Sequence, residues 1–199
     1  MSKVCVLGLG YIGLPTAVMF ADSGFDVVGV DINEDIVRTL NNGDIHIEEA
    51  GLAELAKKVV ENKKLKANTT PEQADFFIIA VPTPNTPEQT ANLDYIISAS
   101  EMILPYVKKG DTVIVESTIP PRTTDDVIKP IFTTAGWDVG NDLYLAHCPE
   151  RVLPGQILRE LVENTRIVGG VNPKSAKKAA EPYRYFVRGQ IIETSAVSA

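Results

Sequence analysis

Cysteine is scarce: the 199-residue chain has two, Cys5 inside an apolar run and Cys148 far along the chain. That spacing excludes a disulfide framework, a redox pair and a thiolate zinc site, and a chain of this length needs no such staple to bury a core. No metal is expected, and a reduced, cytoplasmic compartment fits best. Basic charge is also short. Lys+Arg number 19 against 26 Asp+Glu, a formal net charge of −7, and the basic residues are scattered. Binding a phosphate backbone needs a clustered basic face, so nucleic acid is excluded as a partner. Long hydrophobic runs are missing too. Beyond the N-terminal stretch the longest is Phe76 to Pro82, far too short to span a bilayer. Val4 to Ala21 is apolar enough to imitate a signal peptide, but Gly8, Gly10, Gly13 and Pro15 interrupt it and one lysine makes a thin basic flank. No membrane partner is expected.

What is present is 44% hydrophobic and 23% charged residues, the composition of a globular chain. Strand-length runs at residues 3–7, 26–30, 76–81, 112–116 and 143–147, with a weaker one near 65–67, alternate with helical segments at 11–23, 34–41, 52–62, 93–107 and 123–135. This alternation predicts a Rossmann-like, doubly wound α/β fold, a parallel sheet with helices on both faces. The core unit is expected over about residues 1–150 and an αβ extension over about 151–199. The extension reads as a loop at 149–155, a helix at 156–164, a strand at 165–171, and a helix that starts at Asn172-Pro173 and runs through 176–186. Residues 189–199 begin strand-like at Ile191-Ile192 and stop without a capped helix or polar tail, so a longer parent is expected.

Three constellations carry chemistry. The first is Gly8-Leu9-Gly10-Tyr11-Ile12-Gly13, which follows one strand and opens a helix, with Asp31 closing the next strand 18 residues beyond Gly13. In such a unit Gly8 permits the tight turn, Gly10 lets the backbone approach a pyrophosphate, and Gly13 lets helix and strand pack closely. The helix N-terminus offers N–H groups and positive dipole to the phosphates. A carboxylate at Asp31 accepts both adenosine ribose hydroxyls and repels a 2′-phosphate, which favours NAD over NADP. The bland alternative is a tight strand–helix turn with Asp31 capping the following helix.

The second constellation lies where later strands end, at Val81-Pro82-Thr83-Pro84 and Glu116-Ser117-Thr118-Ile119-Pro120-Pro121. Open α/β sheets bind ligands at that edge, and Thr83 and Thr118 are hydroxyls suited to a nicotinamide ribose or a phosphate; the alternative is that they are turn and cap residues. The third is His147-Cys148-Pro149-Glu150-Arg151-Val152-Leu153-Pro154-Gly155. Glu150 followed by Arg151 places a general base beside an anion-binding guanidinium, or is simply a surface pair. His147 and Cys148 are neighbours on a strand and point to opposite faces, so they form no nucleophile–base dyad, and Cys148 and Cys5 read as core. His46 has no evident partner.

Taken in order, residues 8–15 (GLGYIGLP), 30–33 (VDIN), 45–48 (IHIE), 79–84 (IAVPTP), 116–118 (EST) and 148–155 (CPERVLPG) resemble the NAD-binding half of the UDP-glucose/GDP-mannose dehydrogenase family over the whole chain. IHIE and the Arg-Val after Pro-Glu favour the family's N-acetylmannosamine branch over its glucose branch, where the loop usually reads Pro-Glu-Phe. The resemblance implies NAD as cofactor and a UDP-sugar as substrate, its C6 alcohol oxidised to a carboxylate in two NAD-dependent steps through an aldehyde and a cysteine thioester. By the same resemblance Gly8, Gly10, Gly13, Tyr11, Ile12, Asp31, Thr83 and Thr118 hold NAD, and Arg151 and Val152 contact the UDP-sugar. The resemblance also implies catalytic roles for Glu150, which corresponds to the family's glutamate that assists proton movement and water activation near the thioester, and for Thr118.

Two positions depart from the pattern. Pro154 stands where glucose enzymes carry a second glutamate, which leaves that role unassigned, and Ile36 stands where a basic residue often follows the ribose-binding acid. In the family a central helix with the catalytic lysine and asparagine follows the segment seen here at Thr194-Ser195. The nucleophilic cysteine and a C-terminal nucleotide-binding domain come later still, and the homodimer is built around that helix. None lies within these residues, so this chain alone is expected to be inactive. Two other classes compete: a non-catalytic NAD-binding module, and a small hydroxy-acid dehydrogenase that would draw its lysine from Lys174, Lys177 or Lys178.

Overall fold

The computed structural model describes residues 2–87 and 89–199. Eight strands, β1 (Lys3–Leu7), β2 (Asp26–Val30), β3 (Leu65–Asn68), β4 (Phe76–Ile79), β5 (Thr112–Val115), β6 (Tyr144–His147), β7 (Arg166–Gly170) and β8 (Ile191–Ser195), form one sheet in the order β3-β2-β1-β4-β5-β6-β7-β8. The central strand β1 pairs in parallel on both sides, Val6 standing opposite Gly29 and Ile78. Because side chains alternate across a strand, Val4 and Val6 enter one core and Cys5 and Leu7 the other.

Helices cover both faces. With Val4 and Val6 pack residues of α1 (Gly13–Asp22), α2 (Glu34–Asn41), α3 (Leu52–Glu61), and later α6 (Ile157–Glu163) and α7 (Pro173–Ala180); the opposite core takes residues of α4 (Asp94–Ile103) and α5 (Lys129–Thr134). Every residue of α1 from Gly13 to Ala21 is buried. It lies between the sheet and an aromatic group in which Phe20 meets Phe25, Tyr183 and Phe186 at centroid distances of 5.6, 5.6 and 5.1 Å. A helix enclosed in this way needs no polar stripe, which accounts for the uniform apolarity that resembled a signal peptide. Among the described residues no helix is long and apolar enough to cross a membrane.

Asparagines start two helices. Asn33 accepts the Asp35 amide at 2.9 Å, and Asn172 accepts the Ser175 amide at 2.8 Å with Pro173 in the first turn, donors that would otherwise lack acceptors. Prolines reshape three of the expected helices. The segment read as 93–107 stops at Ile103, shortly before Pro105, and 176–186 divides into α7 and a 3₁₀ turn at Pro182–Tyr185. In 123–135, Pro130 has no N–H to close an α turn. The chain widens into a π turn, Thr124–Ile128, whose Lys129 amide bonds to the Thr124 carbonyl before α5 proceeds.

Two strands, β7 and the β8 that pairs parallel to it, run against the expected parallel pattern. β7 is antiparallel to β6, with Ala146 opposite Gly170 and His147 opposite Gly169. The connection from β6 contains only α6, seven residues and about 10 Å long. It brings the chain back to the sheet edge that β6 has just left, not across to the far edge. As a result β7 begins, at Arg166, on the edge where β1, β2, β4, β5 and β6 end.

Candidate functional site

The ends of those five strands enclose a cleft of about 710 Å³, running from Asp31 past Gly10 and Thr83 to Thr118 and Glu150. From β2 to β6 it crosses four strand spacings, about 19 Å. Its first wall is the turn after β1. Gly8 adopts φ +87°, and a Cβ there would lie 2.6 Å from the Ala80 carbonyl oxygen. A Cβ on Gly13 would lie 1.8 Å from the Gly8 carbonyl oxygen and 3.2 Å from the Ala80 Cβ, so Gly13 lets α1 close chiefly onto the turn itself. Gly10 differs: a Cβ there would meet nothing within 4 Å. No packing within the protein demands glycine at that position, so what its bare backbone leaves open is room in the cleft. The Leu14 amide bonds to the Gly10 carbonyl at 3.1 Å, and the amides of such a first turn are oriented for an anion.

Asp31 is fixed by this turn. Its Oδ2 accepts the Leu9 amide at 2.9 Å and its Oδ1 the Asn33 amide at 3.0 Å. It does not cap α2, a task performed by Asn33. Each oxygen keeps further acceptor capacity, so Asp31 presents an oriented carboxylate to one end of the cleft. Tyr11, 55% exposed, and Ile12 also line it. On the far side the Thr83 hydroxyl donates to the Thr118 carbonyl at 2.8 Å and the Ser117 hydroxyl to the Val81 carbonyl at 2.8 Å, which locks the β4 and β5 loops together. Thr118 is exposed at the rim, and neither threonine caps a helix. These groups fit a dinucleotide: a glycine cradle, a helix N-terminus, and a hydroxyl-accepting carboxylate on a common edge.

Glu150 stands where this cleft meets a second, polar pocket of about 210 Å³ that is also lined by Arg151, Glu160, Asn164 and Arg166. The guanidinium expected beside it, that of Arg151, is turned aside and donates to the Thr165 carbonyl at 3.1 Å; only the Arg151 amide reaches Glu150 Oε1, at 2.7 Å. Val152 packs against the core of the α1 face. The partner of Glu150 is Arg166, whose Nη2 lies 2.7 Å from Oε2. Arg166 Nη1 donates to Glu116 Oε1 at 3.2 Å, and its guanidinium lies 4.5 Å over the Tyr183 ring. Glu116 in turn accepts the Tyr183 hydroxyl at 2.7 Å and the Thr16 hydroxyl at 3.1 Å.

This cluster is nearly dry. The side chain of Glu116 is 0% exposed and that of Arg166 5%. Burial pushes the Glu116 carboxyl up, against the opposing pull of Arg166. Around Arg166, burial is outweighed by the neighbouring carboxylates of Glu116 and Glu150, and the guanidinium stays charged. Cys148 Sγ is 3.5 Å from Arg166 Nη1, yet burial raises its thiol to about 11, so it is protonated near neutral pH and is no nucleophile. His147 bonds through Nδ1 to the Val115 carbonyl at 2.9 Å. Lys174 lies 5.1 Å over the Tyr144 ring, at the opposite end of β6, and Lys178 pairs with Glu181, so neither enters the cleft. His46 is exposed.

Sequence reasoning passed over Arg166, Tyr183 and Thr16, and took Glu116 only as part of a motif. A signal existed: Glu116 ends, and Arg166 begins, an otherwise apolar strand-length run, where an ionised side chain must find a partner.

The profile of the UDP-glucose/GDP-mannose dehydrogenase family, NAD binding domain, matches residues 2–187. A UDP-N-acetyl-D-mannosamine dehydrogenase of Methanococcus maripaludis is 51% identical over 203 residues, covering 100% of this chain and 46% of the relative. An NDP-N-acetyl-D-galactosaminuronic acid dehydrogenase of Ralstonia nicotianae is 46% identical over 204 residues, covering 98% and 48%. The native structure of the UDP-N-acetyl-mannosamine dehydrogenase from Staphylococcus aureus superposes with a TM-score of 0.97 at 53% identity, covering 100% of this chain and 48% of that one. The chain thus spans about half the length of the relatives it matches.

Proposed function

The chain belongs to the UDP-glucose/GDP-mannose dehydrogenase family and carries its NAD-binding domain, and from that premise we propose that it supplies the cofactor site and one wall of the sugar site of a nucleotide-sugar 6-dehydrogenase. The substrate is UDP-N-acetyl-D-mannosamine, whose C6 alcohol is oxidised to the carboxylate. The observation that carries this reading is the position of Glu150, a carboxylate on the wall of both the long cleft and the polar pocket. A group that handles protons between a cofactor and a second ligand has to stand at such a junction.

In this reading Gly8, Gly10 and Gly13 shape the turn that receives the pyrophosphate, and Tyr11 and Ile12 flank it. Asp31 accepts the adenosine ribose hydroxyls. Thr83 and Thr118 hold the nicotinamide half, and bound NAD supplies the hydride acceptor. Glu150 takes up the proton released as the alcohol is oxidised and, at the second stage, orients the attacking water. Arg151, exposed at the rim of the polar pocket, meets the anionic nucleotide, and Val152 shapes the loop beneath it. No residue of this chain serves as the thiolate, because Cys148 is sealed in the core.

The test is steady-state oxidation by the protein as its gene encodes it, with NAD and, in turn, UDP-N-acetylmannosamine, UDP-glucose and GDP-mannose. The expected result is turnover of the first with two NADH formed per sugar, and a raised KM in Arg151→Lys, since an ammonium lacks the planar two-point contact of a guanidinium. Preferred turnover of either other sugar overturns the assigned substrate. NAD binding without turnover of any of them reduces the chain to a binding module.

A further inference from the structure

We propose that Arg166 is the positioning residue for Glu150, fixing its carboxylate at the junction of the cofactor cleft and the polar pocket. The inference rests on the role given to Glu150 above, and the two can fail separately.

Glu150 follows β6 on a segment with no helix or strand of its own, so regular backbone geometry does not set where its carboxylate lies. Two donors do. The Arg151 amide, at 2.7 Å from Oε1, belongs to the same loop and moves with it. Arg166 Nη2, at 2.7 Å from Oε2, is anchored in the sheet. Arg166 is therefore the tie between this carboxylate and the rigid frame.

Arg166 is itself held from two sides. Glu116 at the end of β5 takes Nη1, and the Tyr183 ring supports the guanidinium face. Thr16 on α1 and the Tyr183 hydroxyl then hold the two oxygens of Glu116. A planar guanidinium directs Nη1 and Nη2 to separate acceptors, so one residue can grip a buried carboxylate and a cleft carboxylate together, which the compact ammonium of lysine cannot reproduce. A buried ion cluster is a poor stabiliser compared with apolar packing of similar volume. What this one achieves beyond stability is the placement of Glu150. The reversal of β7 makes that placement possible, because it sets the first residue of the strand on the cleft edge.

The test has two readouts. On this chain, carboxyl labelling with a carbodiimide and an amine, resolved by mass spectrometry, reports the freedom of Glu150. Arg166→Met is expected to speed labelling at Glu150 by about ten-fold, the release of one charge-assisted hydrogen bond, while Glu49 and Glu160 keep their rates. If Arg166→Met unfolds, which those reference sites reveal, the pair Glu116→Gln/Arg166→Met decides instead, because it leaves no unpaired carboxylate in the core. Unchanged labelling at Glu150 in a folded variant overturns the proposal.

The second readout is kinetic, on the protein as its gene encodes it. Arg166→Met and Glu150→Gln are each expected to lose about 100-fold in kcat with KM for NAD changed by less than about 3-fold, as for loss of a general base. The double variant is expected to be no worse than either, and Arg166→Lys to recover part of the loss. Losses that multiply in the double variant mean that the two residues act independently, and the proposal falls. If no nucleotide sugar is oxidised while labelling responds as expected, the functional reading fails and the positioning role stands.

Discussion

Glu49 accepts the Gly155 amide at 2.7 Å and the Ile157 amide at 2.9 Å, although 106 and 108 residues separate the partners in sequence. The same loop also gives its Leu153 amide to Glu160 at 2.8 Å. The segment after Glu150 thus hangs from side-chain carboxylates, one of which comes from the loop between α2 and α3. Residues 45–48, read in the sequence as pointing to the N-acetylmannosamine branch, sit immediately before that support.

Replacing Glu49 with alanine is expected to lower stability by about 2 kcal/mol, the scale of two charge-assisted hydrogen bonds in a half-exposed setting. The specific signature is faster hydrogen exchange at the Gly155 and Ile157 amides, read by NMR, with the β1 amides unaffected. Uniform exchange across the chain would remove Glu49 from this role.

NAD is expected to bind and NADP far more weakly, because in the proposed site Asp31, an oriented carboxylate at one end of the cleft, receives the adenosine ribose. Calorimetric titration of both cofactors measures the ratio. Asp31→Ala is expected to weaken NAD by about 1–3 kcal/mol and to narrow the gap. Equal affinities in the unaltered chain would contradict the assignment.

Gly10 and Gly13 are expected to respond in opposite ways. Gly10→Val leaves the fold intact, because nothing lies within 4 Å of the added Cβ, and abolishes NAD binding by filling the cradle. Gly13→Ala drives a Cβ against the Gly8 carbonyl oxygen and should cost at least about 2 kcal/mol of stability. Thermal melts paired with titrations separate the two; a Gly10→Val protein that binds NAD normally removes the turn from the site.

Cys148 is expected to react slowly with iodoacetamide near neutral pH, and rapid labelling of the folded chain would restore it as a candidate thiolate. The same burial has a thermodynamic side. Burial raises the Cys148 thiol from 9.0 to about 11 and the Cys5 thiol to about 12. The unfolded chain therefore releases these protons first as pH rises. Stability is fully present below pH 9 and declines above it, by up to about 1.4 kcal/mol per pH unit for each thiol. Denaturant midpoints from pH 8 to 11 should show this, and Cys148→Ala should make the slope shallower.

The turn at Gly8 to Gly13 and the placement of Asp31 beside it were legible in the sequence because strand, turn, helix and acid follow one another along the chain, so local spacing alone defines that geometry. The sheet was legible for a similar reason: each apolar run announces its own strand. The grip on Glu150 was not. Its partners come together across 50 residues between Arg166 and Glu116, 67 between Tyr183 and Glu116, and 100 between Thr16 and Glu116. Periodicity carries no record of strand direction, so nothing in residues 165–171 shows that Arg166 begins on the cleft edge. Adjacency pointed to Arg151, but a loop turns consecutive side chains apart. Helix ends were misplaced where Pro105, Pro130 and Pro182 intervened, a local effect the pattern of apolar residues does not register.

The same cluster imposes an order on biogenesis. Arg166 follows Glu116 by 50 residues, so at about 5–20 residues per second it is synthesised roughly 3–10 s later. During that interval the nascent chain can pair β1, β2, β4 and β5, but the pocket meant for Glu116 has no counterion. The carboxylate must stay hydrated or take up a proton, and in either case the layer beneath α1 stays open. Final desolvation of that layer therefore waits for β7 and Tyr183, which makes residues 166–183 the latch on a nucleotide cradle begun about 150 residues earlier, at Gly8 to Gly13.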